Sequence, residues 1–210
     1  MKNNKIKDLA ILSMFIAIIL LFAFTPLGYI RLPFINATLL HIPVIIGSIL
    51  LGAKYGAVLG FLFGLTSMII NTITPNPIIS FVFSPFVPVY GTQNGNILAL
   101  VVCFFPRILT GIIPYYVYKF LSKIFKERYK IVSISIAGVA GSMTNTLLVV
   151  HFIFFLFRSS YADARHLEID AIYGIILSII ATNGIPEAIV AAVVTAAICI
   201  PVGLVQKSNM

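Results

Sequence analysis

The sequence predicts an all-α integral membrane protein: one six-transmembrane-helix bundle with both termini cytoplasmic and its outer loops forming a lid. Three observations carry this. Hydrophobic residues are 60% of the 210-residue chain and charged ones 10%, with a mean hydropathy of +1.08. Soluble domains carry about 25% charged residues, so the setting is a bilayer. Spans of about 20 residues let a chain of this length form a single domain, residues 1–210, of roughly six helices. The third observation is where the basic residues lie. The net charge is +8, but the Lys and Arg residues sit in short segments beside apolar runs. That is how orientation is encoded, and it excludes the continuous basic stripe of a nucleic-acid-binding protein.

The first span is Leu9–Thr25, preceded by the basic segment MKNNKIKD. No small-residue cleavage site follows it and further apolar segments come later, so it reads as a retained helix. Ala10, Ser13 and Ala17 share one face at i, i+3, i+7, a groove narrow enough for close helix approach. Residues 26–36, with two prolines and Arg31, read as a loop whose Tyr29, Arg31 and Phe34 can fold over a site. A second span runs from Ala37 to Leu51, with His41 and Pro43 near its start. After the turn at 52–56, a third span opens on Gly56, Gly60 and Gly64, every fourth residue, a flat stripe for backbone-to-backbone packing.

Asn71–Gly95 contains Pro75, Pro77, Pro85 and Pro88, which forbid a regular helix, and Phe81, Phe83 and Tyr90, which are too apolar for a free linker. It reads as a lid packed on the bundle. The fourth span, Asn96–Lys119, ends in KFLSKIFKERYK, the strongest basic cluster. The fifth, 131–157, packs through Ala137, Gly138, Gly141 and Ser142. Residues 158–170 read as a polar outer loop. Residues 171–182 are too few to span alone, and Asn183-Gly184-Ile185-Pro186 reads as a break before a sixth span at 185–205.

Topology follows from the loops. Lys2, Lys5, Lys7, Lys54, Lys119, Lys123, Lys126, Arg128, Lys130 and Lys207 fall on one side, and Arg31, Arg158 and Arg165 on the other. The excess marks the first side as cytoplasmic. Trp is absent, so Tyr and Phe must supply any interfacial belt. The two cysteines, Cys103 and Cys199, lie in apolar runs with no metal-ligand spacing, so neither a metal nor a disulfide is expected.

Arg107 stands near the middle of the fourth span, about 16 Å along it at 1.5 Å per residue. A charge at that depth costs about 2.5–3.5 kcal/mol on the mildest insertion scale. It cannot be shed, because a guanidinium stays protonated. Two readings stand: an internal ion pair, or a socket for an anionic substrate group. Asn145 falls at about the same level, His151 nearer the outside, and Asn183 and Glu187 near the outer surface. With Asn96 and Tyr90 at the mouth, these residues can line one outward-facing pocket. Each also has a packing role open to it: Asn145 a helix–helix hydrogen bond, His151 a satisfied packing contact, Asn183 a cap. Glu187 can stabilise its own helix start or pair with Arg107.

The small-residue face Ser13-x-x-x-Ala17, the apolar outer loops and Asn-Gly-Ile-Pro-Glu at the start of the last span together resemble the substrate-binding S components of energy-coupling factor (ECF) vitamin transporters. The runs HIPVIIGSILLGAKYGAVLGFLFGLTSMIINT, SFVFSPF and PRILTGI are most similar to the pantothenate-specific members, and the resemblance covers nearly the whole chain. It implies a high-affinity subunit in the plasma membrane that binds its vitamin from outside. A transmembrane coupling (T) subunit and two cytoplasmic ATPases then drive uptake. The groove on the first helix, A-x-x-x-A in the family, would meet the coupling subunit; here Ser13 replaces the first Ala. The chain has no G-x-x-x-x-G-K-[ST] loop for ATP, and no cofactor is implied. Pantothenate, a monoanion with an amide and hydroxyls, suits one arginine and several amide side chains. The alternatives are an S component for riboflavin, folate or a pyrimidine, a stand-alone channel or secondary carrier, or an intramembrane enzyme using His151 and Glu187. The last lacks any H-E-x-x-H or comparable cluster.

Overall fold

The computed structural model describes residues 2–31, 36–125 and 129–207. Helix α1 (Lys2–Phe24) is followed by a short antiparallel ribbon of β1 (Tyr29–Arg31) and β2 (Asn36–Thr38), with Arg31 opposite Asn36. Then come α2 (His41–Leu51), α3 (Ala53–Ile73), α4 (Ala99–Phe125), α5 (Lys130–Arg165), α6 (Ile172–Ile179) and α7 (Ile185–Lys207). Among the described residues five helical stretches are long and apolar enough to cross a membrane: Lys5–Phe24, Ala53–Ile73, Leu98–Phe125, Lys130–Arg165 and Ile169–Val202. The chain is a multi-pass helical bundle.

Four expectations change. The 26–36 stretch is not merely a loop, because its two ends pair as the ribbon; Phe34 lies outside the described residues. The second span begins at His41, not Ala37, because Asn36–Thr38 is spent in the ribbon. The remaining 11 residues rise only about 16 Å, roughly half of a hydrocarbon core. His41 to Ile49 are all buried, as expected of a helix apolar on every face. Pro43 fits there because it sits in the first turn, where backbone N–H groups lack helical partners anyway.

The fifth helix runs on to Arg165 through non-helical angles at Phe157 (φ −133°, ψ 18°), so Arg158 and Arg165 stand on a helix end rather than in a loop. Finally, Asn183-Gly184-Ile185-Pro186 does not break the chain. Residues Ile180–Gly184 form a π-helical turn in which the Ile185 N–H reaches back five residues to the Ile180 carbonyl. In a regular α-helix the Pro186 ring would collide with the Thr182 carbonyl, and the wider turn relieves that.

Packing centres on α3 against α4, α4 against α5, and α5 against α7, with α2 enclosed among them. The glycine stripe is the reason α3 and α4 come so close. A Cβ at Gly56 would strike the Gly111 carbonyl, one at Gly60 the Arg107 carbonyl, and one at Gly64 the Phe104 ring and Cys103 carbonyl. The three glycines therefore meet 103–111 of α4 turn by turn, which also shows that the two helices are antiparallel. Residues 75–94 fold onto the same end of the bundle. Their Phe81 and Val82 are buried in a cluster with Ala99, Val102, Ile153 and Phe157. Ser80 Oγ donates to Asn71 Oδ1 (2.7 Å), and Ser84 and Thr72 share a hydroxyl–hydroxyl bond (2.7 Å), so the segment is stitched to the end of α3.

Gly→Ala inside a helix ordinarily adds about 0.5–1 kcal/mol of stability. At Gly60 the added methyl has no room, and overpacking should instead cost about 1–3 kcal/mol. The melting temperature of Gly60→Ala in detergent should fall. A value equal to or above wild type would mean that α3 and α4 do not approach this closely.

Candidate functional site

The site is built around the Pro106-Arg107 dipeptide. Proline has no N–H, so Pro106 leaves the Val102 carbonyl, four residues earlier, without its helical donor. Arg107 supplies one: its Nη1 donates to Val102 O at 2.7 Å. The guanidinium is thereby turned back along α4, where it lies over two rings, Phe63 of α3 at 5.5 Å and Phe83 of the α3–α4 segment at 4.7 Å. Aromatic faces carry negative charge density and attract a cation without neutralising it. Arg107 is 6% exposed, and eight residues into α4 it lies about 12 Å from the helix start.

Glu187 does not close an ion pair with Arg107. Its Oε1 accepts both the Thr38 backbone N–H (2.8 Å) and the Thr38 hydroxyl (2.9 Å), which anchors the ribbon to the start of α7. The ion pair found among the described residues joins Arg158 and Asp170 (3.1 Å).

Asn145 is buried on α5, and its Oδ1 has no hydrogen-bond partner; the same holds for Ser142 Oγ one turn away. The remaining expected residues lie apart from this centre. His151 is half-buried, with Nδ1 on the Leu147 carbonyl of its own helix (2.7 Å). Asn183 is half-buried in the π turn beside Thr182, whose hydroxyl reaches its Oδ1 at 3.3 Å; it is not an α-helical cap. Asn96 accepts the Leu98 N–H (2.9 Å) just ahead of α4, a local turn rather than a pocket wall. Tyr90 is exposed, edge-on to His166, and with Pro75, Pro77, Pro88 and Thr92 lines an open cavity of about 310 Å³ in the α3–α4 segment. None of the deeper candidates lines that cavity. The side chain of Arg31 lies outside what the structure describes. Among the described residues no cluster of His, Cys, Asp or Glu can hold a metal ion.

Sequence reasoning gave no site role to Phe63, Thr38 or His41, and it placed Phe83 in the lid without bringing it to Arg107. Phe63 could have been found from its place beside Gly64 on the packing stripe, and His41 from a polar residue opening an otherwise apolar helix. Nothing local pairs Phe83 with Arg107 or Thr38 with Glu187, because the fold alone brings them together.

The fold and these residues together describe a multi-pass membrane bundle whose interior holds a cation covered by rings, with unpartnered amide and hydroxyl oxygens one helix away. Residues 7–199 match the family described as ECF transporter, substrate-specific component. The chain is 44% identical over 200 residues to the pantothenic acid transporter PanT of Lactococcus lactis subsp. cremoris (strain MG1363), covering 94% of each chain. It is 30% identical over 204 residues to the pantothenate transporter PanT of Leuconostoc mesenteroides subsp. mesenteroides, covering 94% of this chain and 93% of that one. The chain belongs to the family of ECF transporter substrate-specific components.

Proposed function

We propose that the protein is the pantothenate-binding subunit of an ECF-type importer, taking the vitamin from the extracellular side with high affinity. It hands the vitamin to a transmembrane coupling subunit driven by two cytoplasmic ATPases. The observation that carries the substrate assignment is Arg107. Its guanidinium is buried, aimed by the Val102 carbonyl and backed by Phe63 and Phe83, a planar cationic fork of the kind that recognises a carboxylate. Both relatives are named for this vitamin. Asn145 supplies an amide for the neutral part of the ligand. His151, Asn183, Glu187, Asn96 and Tyr90 stand further from the charge, and of these Tyr90 suits the entrance.

The orientation is N-in and C-in across the plasma membrane, with α2 as the short sixth element, supported by the Lys and Arg distribution. The contact of Phe83 with Arg107 (4.7 Å) supports the α3–α4 segment as the lid over the charge. Isolated Arg107→Gln loses a buried charge-assisted contact, worth about 2–5 kcal/mol, so pantothenate affinity should fall roughly 30-fold or more. Arg107→Lys keeps the charge but not the fork and should fall between. Titration calorimetry on detergent-solubilised protein reads both, and undiminished affinity in Arg107→Gln would refute the assignment.

Ala10, Ser13 and Ala17 are all on the exposed side of α1, and the Ser13 hydroxyl is turned onto the Leu9 carbonyl of its own helix (2.9 Å). The serine thus presents little more than an alanine would. This supports the stripe as the docking face for the coupling subunit. Ser13→Leu and Ala17→Leu should each abolish copurification with that subunit while leaving pantothenate binding intact. Unchanged copurification in both would assign the stripe another use.

A further inference from the structure

His41 is the first residue of α2, and because α2 is only half a span long its first residue lies inside the bundle rather than at an interface. The side chain is 1% exposed, and neither ring nitrogen has a hydrogen-bond partner. The Thr38 backbone one turn earlier comes near the ring and could satisfy only one of the two nitrogens. A neutral imidazole carries one donor and one acceptor. Buried side-chain groups in folded proteins are nearly always satisfied, so an imidazole with both positions open is an anomaly that asks for an occupant.

The packing shows what His41 shares its level with. A Cβ at Gly141 of α5 would meet Ile45 of α2 and Pro114 of α4, so these three residues touch. His41 precedes Ile45 by one helical turn, and Asn145 follows Gly141 by one. The tight turn at Gly52 sets α2 against α3, and α3 is antiparallel to α4, so α2 and α4 run the same way. The short connection from α4 reverses α5. One turn up from the contact therefore brings His41 and Asn145 to one level, with Thr110 of α4. Arg107 lies one turn beyond Thr110, on the next level. Asn145 Oδ1 is unpartnered as well.

We infer that His41, across from Asn145, is a specificity-determining residue that reads the hydroxyl and amide half of the substrate while Arg107 takes the carboxylate. This rests on the pantothenate reading above. The chemistry is complementary: a hydroxyl both donates and accepts, as the imidazole does, and the Asn145 oxygen accepts from a ligand O–H or amide N–H. Selectivity would come from these groups, because a ligand without hydroxyls would bury an imidazole and an amide oxygen with nothing to bond them.

The test uses the full-length protein and two probes, pantothenate and an analogue with both hydroxyls replaced by hydrogen, measured by calorimetry on wild type, His41→Leu and His41→Gln. The expected result is a loss of tenfold or more in pantothenate affinity for His41→Leu, with His41→Gln partly restored. The analogue should bind wild type weakly and be nearly indifferent to His41→Leu. The apo melting temperature of His41→Leu should be unchanged or raised, since replacing an unsatisfied buried polar group with an apolar one removes a cost. Equal losses for both probes together with a lowered apo melting temperature would make His41 a structural residue and overturn the inference. So would wild-type pantothenate affinity in His41→Leu. Wild type failing to bind pantothenate would overturn the pantothenate reading and this inference together, whereas tight wild-type binding indifferent to His41 overturns this inference alone.

Discussion

A permanent positive charge about 12 Å into an apolar helix is the constraint on which the rest of the structure depends. The chain meets it locally first. Pro106 frees one carbonyl, and the neighbouring arginine donates to it, so the proline that weakens α4 also fixes the direction of the guanidinium. The rings of Phe63 and Phe83 then cover the cation from two separate elements. The result is a buried charge whose direction is fixed by one carbonyl and whose faces are covered by two rings.

The second requirement is that α4 itself not move. Gly56, Gly60 and Gly64 let α3 lie directly on the α4 backbone at Gly111, Arg107 and Cys103, so the arginine backbone is part of the tightest contact described between helices. Cys103 adds a hydrogen bond from Sγ to the Gly64 carbonyl at 3.2 Å. Glu187, which could have neutralised Arg107, is instead committed to the ribbon through Thr38. Structural polar groups and the candidate binding group are thus kept apart: the carboxylate holds a β-ribbon to α7, and the guanidinium stays with its rings.

Much of this was legible in the sequence, and the reasons differ by element. The long apolar runs and the spacing of the glycines depend only on composition and helical periodicity, so the membrane class and the α3 packing face could be read directly. Arg107 was legible because a charge in such a run has few possible explanations. The errors cluster where local rules compete with tertiary ones. Pro186 reads as a break, yet a π turn absorbs it. Residues 37–38 read as the start of a helix, yet a glutamate 149 positions away holds Thr38 in the ribbon. Asn96 reads as a pocket residue, but its carboxamide is used within two residues of itself. His41 could be seen in the sequence but not weighed, because its lack of partners exists only once three helices have packed.

The central claim is that Arg107 binds a carboxylate rather than holding the fold, and comparing the acid with its uncharged alcohol tests it most directly. Calorimetry of pantothenate and pantothenol on wild type and Arg107→Gln isolates the term that belongs to the charge pair. The account predicts that pantothenol binds wild type much more weakly than pantothenate does and binds Arg107→Gln about equally well, so the loss appears for the acid alone. Equal losses for acid and alcohol would contradict it.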